Sequence, residues 1–539
     1  MARRKARKKE ESSLRIPGRR VAIVSTAAIP WMTGTAVNPL LRAAYMAECT
    51  ELQVTLIVPW LAKCDQELTF IDGVTFDTPD EQEEFMGRWI TKRTGLTPKY
   101  RVKWYSGRYD RTLLGIFQVG NLTSVAEEAG AEVIILEEPE HLTWYHHGPR
   151  WTEKFDHVVG IIHTSYRELS RRNSGILMAG ISVVFNSLLC SIHCHKVVKL
   201  SDTVQAFPRS VVCCVHGAAP KFLEYGDTKS KLEPGVNSRR FAKGAYCLGK
   251  IVYGKGWEEL LTLLDFHQRH THESQADVNH PTIDAYGSGE AFEHVKGMAE
   301  KLGVQINWLG RRDHLDPMLQ DYQVFINAST SDVVATTSME ALAMGKWLIC
   351  AQHPCNAFVG TFANCLIYRS PEEFSAHLEH ALKEEPPPLS PSELRELGWE
   401  AATERMLDAG SIAANEWPGP ISTAQEAMAW SLYNSVTGIE PLRVAINAGS
   451  HTRDAPADML MYDPLESPCQ NVRHSAWGWF LSLQPQLLVS FGCDLLRVGL
   501  GQDYSPGWNS GWPTACEESM PVNIKASAQS TTEPARLFA

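Results

Sequence analysis

Residues 323–352 read QVFINASTSDVVATTSMEALAMGKWLICAQ. QVFINAS (323–329) has the length and the β-branched and aromatic content of a buried strand, and WLICAQ (347–352) reads as a second one. Between them TSDVVA is a loop. A helix is predicted from Thr337, stopping at Gly345, a residue suited to the left-handed position that ends helices. Strand, helix, strand at this spacing is a right-handed βαβ unit, the repeat of a parallel sheet.

The same rhythm runs through most of the chain. Strands are predicted at VAIVSTAA (21–28), VTLIVPW (54–60), AEVIILEEP (131–139), VVGIIHTS (158–165), VVKLS (197–201), YCLGK (246–250), TIDAYG (282–287) and VQINWLG (304–310). Helical patterns such as GWEELLTLLDFHQR and EAFEHVKGMAEKLG separate most of them. The chain's 539 residues exceed what one core holds. The expected fold class is therefore α/β, with two doubly wound, Rossmann-like domains. The expected divisions are a basic disordered tail (1–20), a first Rossmann-like domain (21–212) and a second (213–391). A helix packing back (392–410) and an extension of unassigned role (411–539), partly disordered, follow them.

Net charge is −11, but the first twenty residues carry nine Lys/Arg against two Glu. Such a tail is predicted to be solvated, with attraction to anionic lipid or nucleic acid as the alternative. It has no apolar core of a secretory signal and, with glutamates beside its basic residues, it is unlike a transit peptide. No run of 18 apolar residues occurs, so no transmembrane helix is predicted, and ILMAGISVVF (176–185) reads as a core element. The thirteen cysteines form no CxxC pair, and many lie in apolar runs, which suits buried free thiols. His193, Cys194 and His195 are consecutive and cannot all face one ion from a strand, so no metal site is predicted.

Ligands of open α/β sheets bind beyond the carboxyl ends of strands. Asp332 and Glu340 lie eight apart on either side of a predicted helix start. Thr337 and Glu340 have capping-box spacing, which alone would account for Glu340. Alternatively, the free amides near Thr336 and Thr337 receive a phosphate while the carboxylates grip sugar hydroxyls. Asp332 has no capping role at its position. Lys250 and Lys255, with Gly249, surround a Gly-rich turn after a strand; they either neutralise a diphosphate or are solvated surface lysines. No GxxxxGK[ST] motif is present. Gly34 and Thr35 follow the first strand, where backbone can approach a ligand closely. His163 ends another strand, a position open to both structural and substrate-binding roles.

In LEEPEHLTWYHHGPRW, Glu140, His141 and Tyr145 are candidates for lining an acceptor pocket or a domain interface. In FMGRWITKRTGLTPKYRVKWYSGRYD, Arg88, Lys92 and Arg93 are interleaved with Trp89, Trp104 and Tyr105. That composition suits an anionic membrane interface or a nucleic-acid face, or a solvated loop whose aromatics pack inward.

Taken together these residues resemble the GT-B fold retaining glycosyltransferases of family 4. Asp332 and Glu340 fall on that family's pair of acids, the first of which is normally Glu. Lys250 and Lys255 fall on its basic pair, the first of which is usually Arg. Over residues 20–410 the chain is similar, more narrowly, to plant and algal digalactosyldiacylglycerol synthases. The stretches LEEPEHLTWYHHG, GIIHTSY, VHGAAPKFLE, TSDVVATTSMEALAMGK and WEAATER carry the likeness. The resemblance implies transfer of galactose from UDP-galactose to monogalactosyldiacylglycerol with retention, by a protein lying on the chloroplast envelope, usually its outer membrane. It implies that Lys250, Lys255, Gly249 and the amides at Thr336 and Thr337 hold the diphosphate, with Gly34 and Thr35 opposite. Asp332 would hold the galactose, Glu340 the ribose, and His163 would sit beside the transferred sugar. It implies no bound cofactor, no metal and no nucleic-acid partner, and a galactolipid acceptor in the membrane. The rival readings are the same fold with another donor or acceptor, and a non-catalytic lipid-binding relative.

Overall fold

The structure is a computed structural model that describes residues 11–110, 115–144, 146, 148–231, 240–274 and 282–437. β1 (Arg20–Val24), β2 (Gln53–Leu61), β3 (Arg101–Asp110), β4 (Gly115–Gln118), β5 (Val133–Glu137), β6 (His157–Ile162), β7 (Lys196–Lys199) and β8 (Ser210–Val212) form one sheet. Its order is β4-β3-β2-β1-β5-β6-β7-β8, parallel except for β4 against β3. β9 (Lys243–Leu248), β10 (Ile283–Tyr286), β11 (Ile306–Trp308), β12 (Tyr322–Asn327), β13 (Trp347–Ala351) and β14 (Cys365–Tyr368) form a second, wholly parallel sheet in the order β11-β10-β9-β12-β13-β14. Helices on both faces explain why VIILE of β5 and WLICA of β13 are buried at every position.

Each of the ten predicted strands lies over an observed one. In each sheet the strand order reverses once, between β1 and β5 and between β9 and β12. Those are the switch points where loops diverge and leave a crevice at the carboxyl ends.

The chain crosses from the first half to the second at 213–219 and returns at 397–399, and the two crossings touch. Ala218 N donates to Leu397 O at 2.7 Å, and Ala218 pairs with Gly398 in an isolated bridge. A Cβ on Gly217 would lie 2.7 Å from the backbone of Gly398. Beyond the return, Trp399, Ala402, Met406 and Leu407 of the helix Trp399–Gly410 join the core of the first half.

Two expectations are corrected here. The basic tail is not solvated throughout: Leu14 is fully buried against Gly410, Ser12 pairs with Ile412, and Arg15 bridges Glu404 and Asp408. Residues 1–10 lie outside the described residues. ILMAGISVVF is not a core element. It belongs to the helix Tyr166–His193, and its first residues, Ile176 and Leu177, are among the most exposed apolar side chains described. Of the extension, residues 420–437 form a helix whose Tyr433 hydroxyl bonds Thr143 O at 2.9 Å. Residues 438–539 lie outside the described residues.

Candidate functional site

In the second half the loops after β9 and β12 meet. Lys255, in the Gly-rich turn leading into the helix from Trp257, donates directly to the Asp332 carboxylate. Beside it, the Ser331 hydroxyl donates to Gly254 O, so the two loops are tied by adjacent bonds. Lys250 is solvent-accessible but stands in crowded surroundings; partial desolvation first, then the nearby Lys255 and Arg311, lower its pKa. Lys250 and Lys255 therefore lie on the turn that Gly249 begins after β9, with Arg311, after β11, near enough to act on Lys250.

The helix Thr336–Ala343 begins directly after Asp332 and the Val333–Ala335 turn, and its Ala335 N-cap offers no side chain to the first amides. The capping-box reading of Glu340 is not what the structure has. Glu340 accepts from His314 Nδ1 at 2.7 Å and lies 3.6 Å from the Arg93 guanidinium. A carboxylate only accepts, so His314 carries its proton at Nδ1, and its Nε2 meets the Tyr246 hydroxyl at 2.6 Å. The helix start at Thr336 and Thr337 keeps its electropositive end free of its own acids. In the first half the helix Gly34–Cys49 also starts without a side-chain cap or an acid in its first turn, at Gly34 and Thr35 after β1.

His163 follows β6. Its Nε2 lies 2.5 Å from Glu137 Oε2, at the end of β5, and the other Glu137 oxygen accepts from Arg42 Nε at 2.6 Å. All three are nearly or wholly inaccessible. Burial alone would raise the pKa of Glu137, but Arg42 and His163 together overcome that and hold it below the usual carboxylate value. An ionised Glu137 makes His163 Nε2 the donor and fixes the ring. The Arg42 guanidinium also donates to Val215 O at 2.9 Å and stands over Trp399, tying this array to both chain crossings. His216, at the first crossing, lies 5.1 Å from His163 between ring centroids. Burial, then the neighbouring His163, Arg42 and Arg405, lower the pKa of His216 and keep it neutral.

The halves are joined near the site. Ser201, after β7, donates to Val333 O at 2.5 Å, and Val333 is buried in the core of the first half. Arg93 reaches Asp313 at 2.8 Å as well as Glu340.

Several residues singled out from sequence lie elsewhere. Arg93 is only 11% exposed, between Trp89, Phe222, Asp313 and Glu340, so it bridges the halves and does not face a membrane. Tyr105 is buried, its hydroxyl bonded to Ser25 O at 2.8 Å. Trp104 and Trp89 pack against the first core. Residues 101–110 form a strand, which turns the consecutive Trp104 and Tyr105 to opposite faces of a sheet covered on both sides, while Trp89 lies on the helix Pro79–Thr94. Arg88 and Lys92 stay exposed, Arg88 beside Glu84 on its own helix. Glu140 is buried, and burial raises its pKa well above the ordinary carboxylate value, so it lines no open acceptor pocket. His141 is buried against Phe117 and bonded to Ile116 O at 2.7 Å. Tyr145 lies outside the described residues. Arg42, Glu137, His216, His314 and Arg311 were not singled out from sequence, and Arg93 was singled out only as a membrane contact. Only Glu137 and His216, at strand ends within quoted stretches, had a positional signal.

Two Rossmann-like sheets, with their chemistry-bearing loops at the switch points, define the GT-B class of glycosyltransferase fold. The family description "Glycosyl transferases group 1" matches residues 243–397, the second sheet with its returning segment. The chain is 42% identical over 393 residues to digalactosyldiacylglycerol synthase 2, chloroplastic, of Glycine max, covering 73% of this chain and 83% of that protein. It is 41% identical over 488 residues to digalactosyldiacylglycerol synthase 1, chloroplastic, of the same species, covering 86% of this chain and 60% of that protein. Against the synthase 1 of Arabidopsis thaliana it is 44% identical over 391 residues, covering 72% of this chain and 47% of that protein. The chain belongs to the digalactosyldiacylglycerol synthase family. It spans only about half to three-fifths of the length of the synthases 1 that it matches.

Proposed function

We propose that this chain transfers galactose from UDP-galactose to the galactose of monogalactosyldiacylglycerol, forming digalactosyldiacylglycerol with retention at the donor carbon. The observation that carries this is the Lys255–Asp332 contact at the β9–β12 switch point, in a chain of this family. Breaking the sugar–phosphate bond builds negative charge on UDP and positive charge on the ring. Lys250, Lys255 and the uncapped amides at Thr336 and Thr337 stabilise the departing diphosphate. The amides at Gly34 and Thr35 approach it from the first half. Asp332, held by Lys255, presents its carboxylate to galactose hydroxyls, and Glu340, oriented by His314 and Arg93, presents its own to the ribose diol.

His163, fixed by ionised Glu137, contacts the transferred sugar. The acceptor hydroxyl attacks from the face the phosphate leaves, and the leaving phosphate takes its proton. The charge stabilisation comes from the chain's own cations and amides, with no cofactor. The acceptor is a bilayer lipid, so the protein works peripherally on a membrane, on this reading the outer envelope membrane of the chloroplast; the relatives' names say chloroplastic.

The test is incubation with labelled UDP-galactose and the monogalactosyl lipid in micelles, with UDP-glucose alongside, and analysis of the product and its linkage. Lys255→Ala is expected to lower kcat by about 30- to 1,000-fold, corresponding to roughly 2–4 kcal/mol of barrier. Full turnover by that variant removes the leaving-group role.

A further inference from the structure

The helix Tyr166–His193 begins three residues after His163 and is broken at Gly175, whose φ of 86° and ψ of 179° lie outside helical space and suit only glycine. The two parts differ in chemistry. The first, YRELSRRNS (166–174), carries three arginines and one glutamate. The second, GILMAGISVVFNSLLCSIH (175–193), carries no Asp, Glu, Lys or Arg in 19 residues. A helix facing water on one side ordinarily carries charge there. This one instead exposes Ile176 at 83% and Leu177 at 70%, with Leu169 at 48% before the break. Its far end is different: Leu189, Cys190, Ile192 and His193 are fully buried, and His193 packs against Trp430 of the helix Pro420–Thr437. At 1.5 Å per residue the uncharged part is about 28 Å long, close to a bilayer's hydrocarbon thickness. Its buried end, however, is fixed in the domain and cannot cross.

We infer that the Gly175–Phe185 end of this helix is a membrane-docking element, its Ile176–Leu177 tip entering the bilayer interface while the exposed Arg167 and Arg171 meet anionic headgroups. The inference rests on the lipid-acceptor reading above and specifies the surface through which that acceptor is approached. Three observations select a bilayer as the occupant. The charge-free stretch adjoins a basic one, the pairing that interfacial helices use. The most exposed apolar residues, Ile176 and Leu177, cluster at the Gly175 break, away from the buried Leu189–His193 end. The helix also starts beside the site: Glu168 of its first turn is close enough to His353, after β13, to act on its charge. A lipid headgroup rising from a bilayer at this tip would therefore meet the His163 side of the crevice.

The test uses the full chain with vesicles of monogalactosyldiacylglycerol and phosphatidylglycerol, read by flotation, together with galactose transfer to a water-soluble galactoside. The Ile176→Glu, Leu177→Glu double variant, altered only at exposed positions, is expected to lose vesicle binding by about tenfold or more. It should keep transfer to the soluble galactoside and the wild-type thermal transition. The Arg88→Glu, Lys92→Glu variant, on the other basic surface, is expected to bind as wild type does. Unchanged binding by the first variant, loss confined to the second, or absence of wild-type binding overturns the inference. So does wild-type self-association that the first variant abolishes, which assigns the tip to another copy of the chain. Vesicle binding is read without turnover, so failure of transfer to the soluble galactoside counts against the catalytic reading alone.

Discussion

Replacing Arg42 by leucine is the perturbation that most directly probes how the site is held. Arg42 and Glu137 are 1% and 0% exposed, and their contact is 2.6 Å. Removing the guanidinium leaves a carboxylate in the interior with only His163 to meet it, and also orphans Val215 O at the chain crossing. Breaking a buried pair from one side typically costs about 3–5 kcal/mol. Arg42→Leu is therefore expected to lower unfolding free energy by roughly that amount at neutral pH, measured by urea denaturation. The double variant Arg42→Leu, Glu137→Gln removes both charges and should recover part of the loss.

The pH dependence has a definite sign. The folded-state pKa of Glu137 is depressed, so its stabilisation is complete above the ordinary carboxylate range and is lost as pH falls through the depressed value. Without Arg42, burial prevails, and the acid limb should move to higher pH. A loss below about 1 kcal/mol in Arg42→Leu, with an unmoved acid limb, would refute the claim that this pair is the site's support.

Two further outcomes are expected. Burial lowers the pKa of His157 from 6.5 to about 4, and the neutral ring sits between Ser12 Oγ and Gly410 O, both at 2.8 Å. The unfolded chain takes the proton first, so stability should be intact above pH ~6.5 and fall by up to about 3 kcal/mol as pH drops toward ~4; His157→Gln should flatten that slope in urea titrations at several pH values, and an equal slope in both proteins would count against it. Arg93→Ala removes a cation from Glu340 and Asp313 and is expected to raise KM for UDP-galactose about tenfold with kcat little changed, the signature of a residue that positions the donor site; an unaltered KM would dismiss that role.

The parallel core strands were legible because burial on both faces writes them as unbroken apolar runs, QVFINAS and WLICAQ among them. β3 was not, because RVKWYSGRYD sits near an edge, alternates charge with aromatics, and so has the composition of a surface. Its charges led to a membrane reading that its geometry removes for Tyr105 and Trp104. The lysines and Asp332 were legible from their places after strands. What their spacing could not convey is that Glu340 is oriented by His314 and Arg93, 26 and 247 positions away in the chain. Arg42 gave no signal at all, for a lone arginine on an apolar helix reads as a surface residue until its buried partner is seen. ILMAGISVVF was misjudged for the opposite reason: apolar sequence does not distinguish a residue packed inside from one held out.

The touching crossings at Gly217 and Gly398 limit how the two halves can move apart. Both covalent connections between the sheets pass through one narrow contact, so the halves can swing about it like covers on a spine but cannot slide in parallel. Glu340 lies on the helix Thr336–Ala343, which packs against Pro220–Ser230 and Pro391–Leu397 beside the two crossings, so it would stay close to the axis of such a swing. His163, braced through Glu137 and Arg42 to Val215 on the spine itself, would scarcely move.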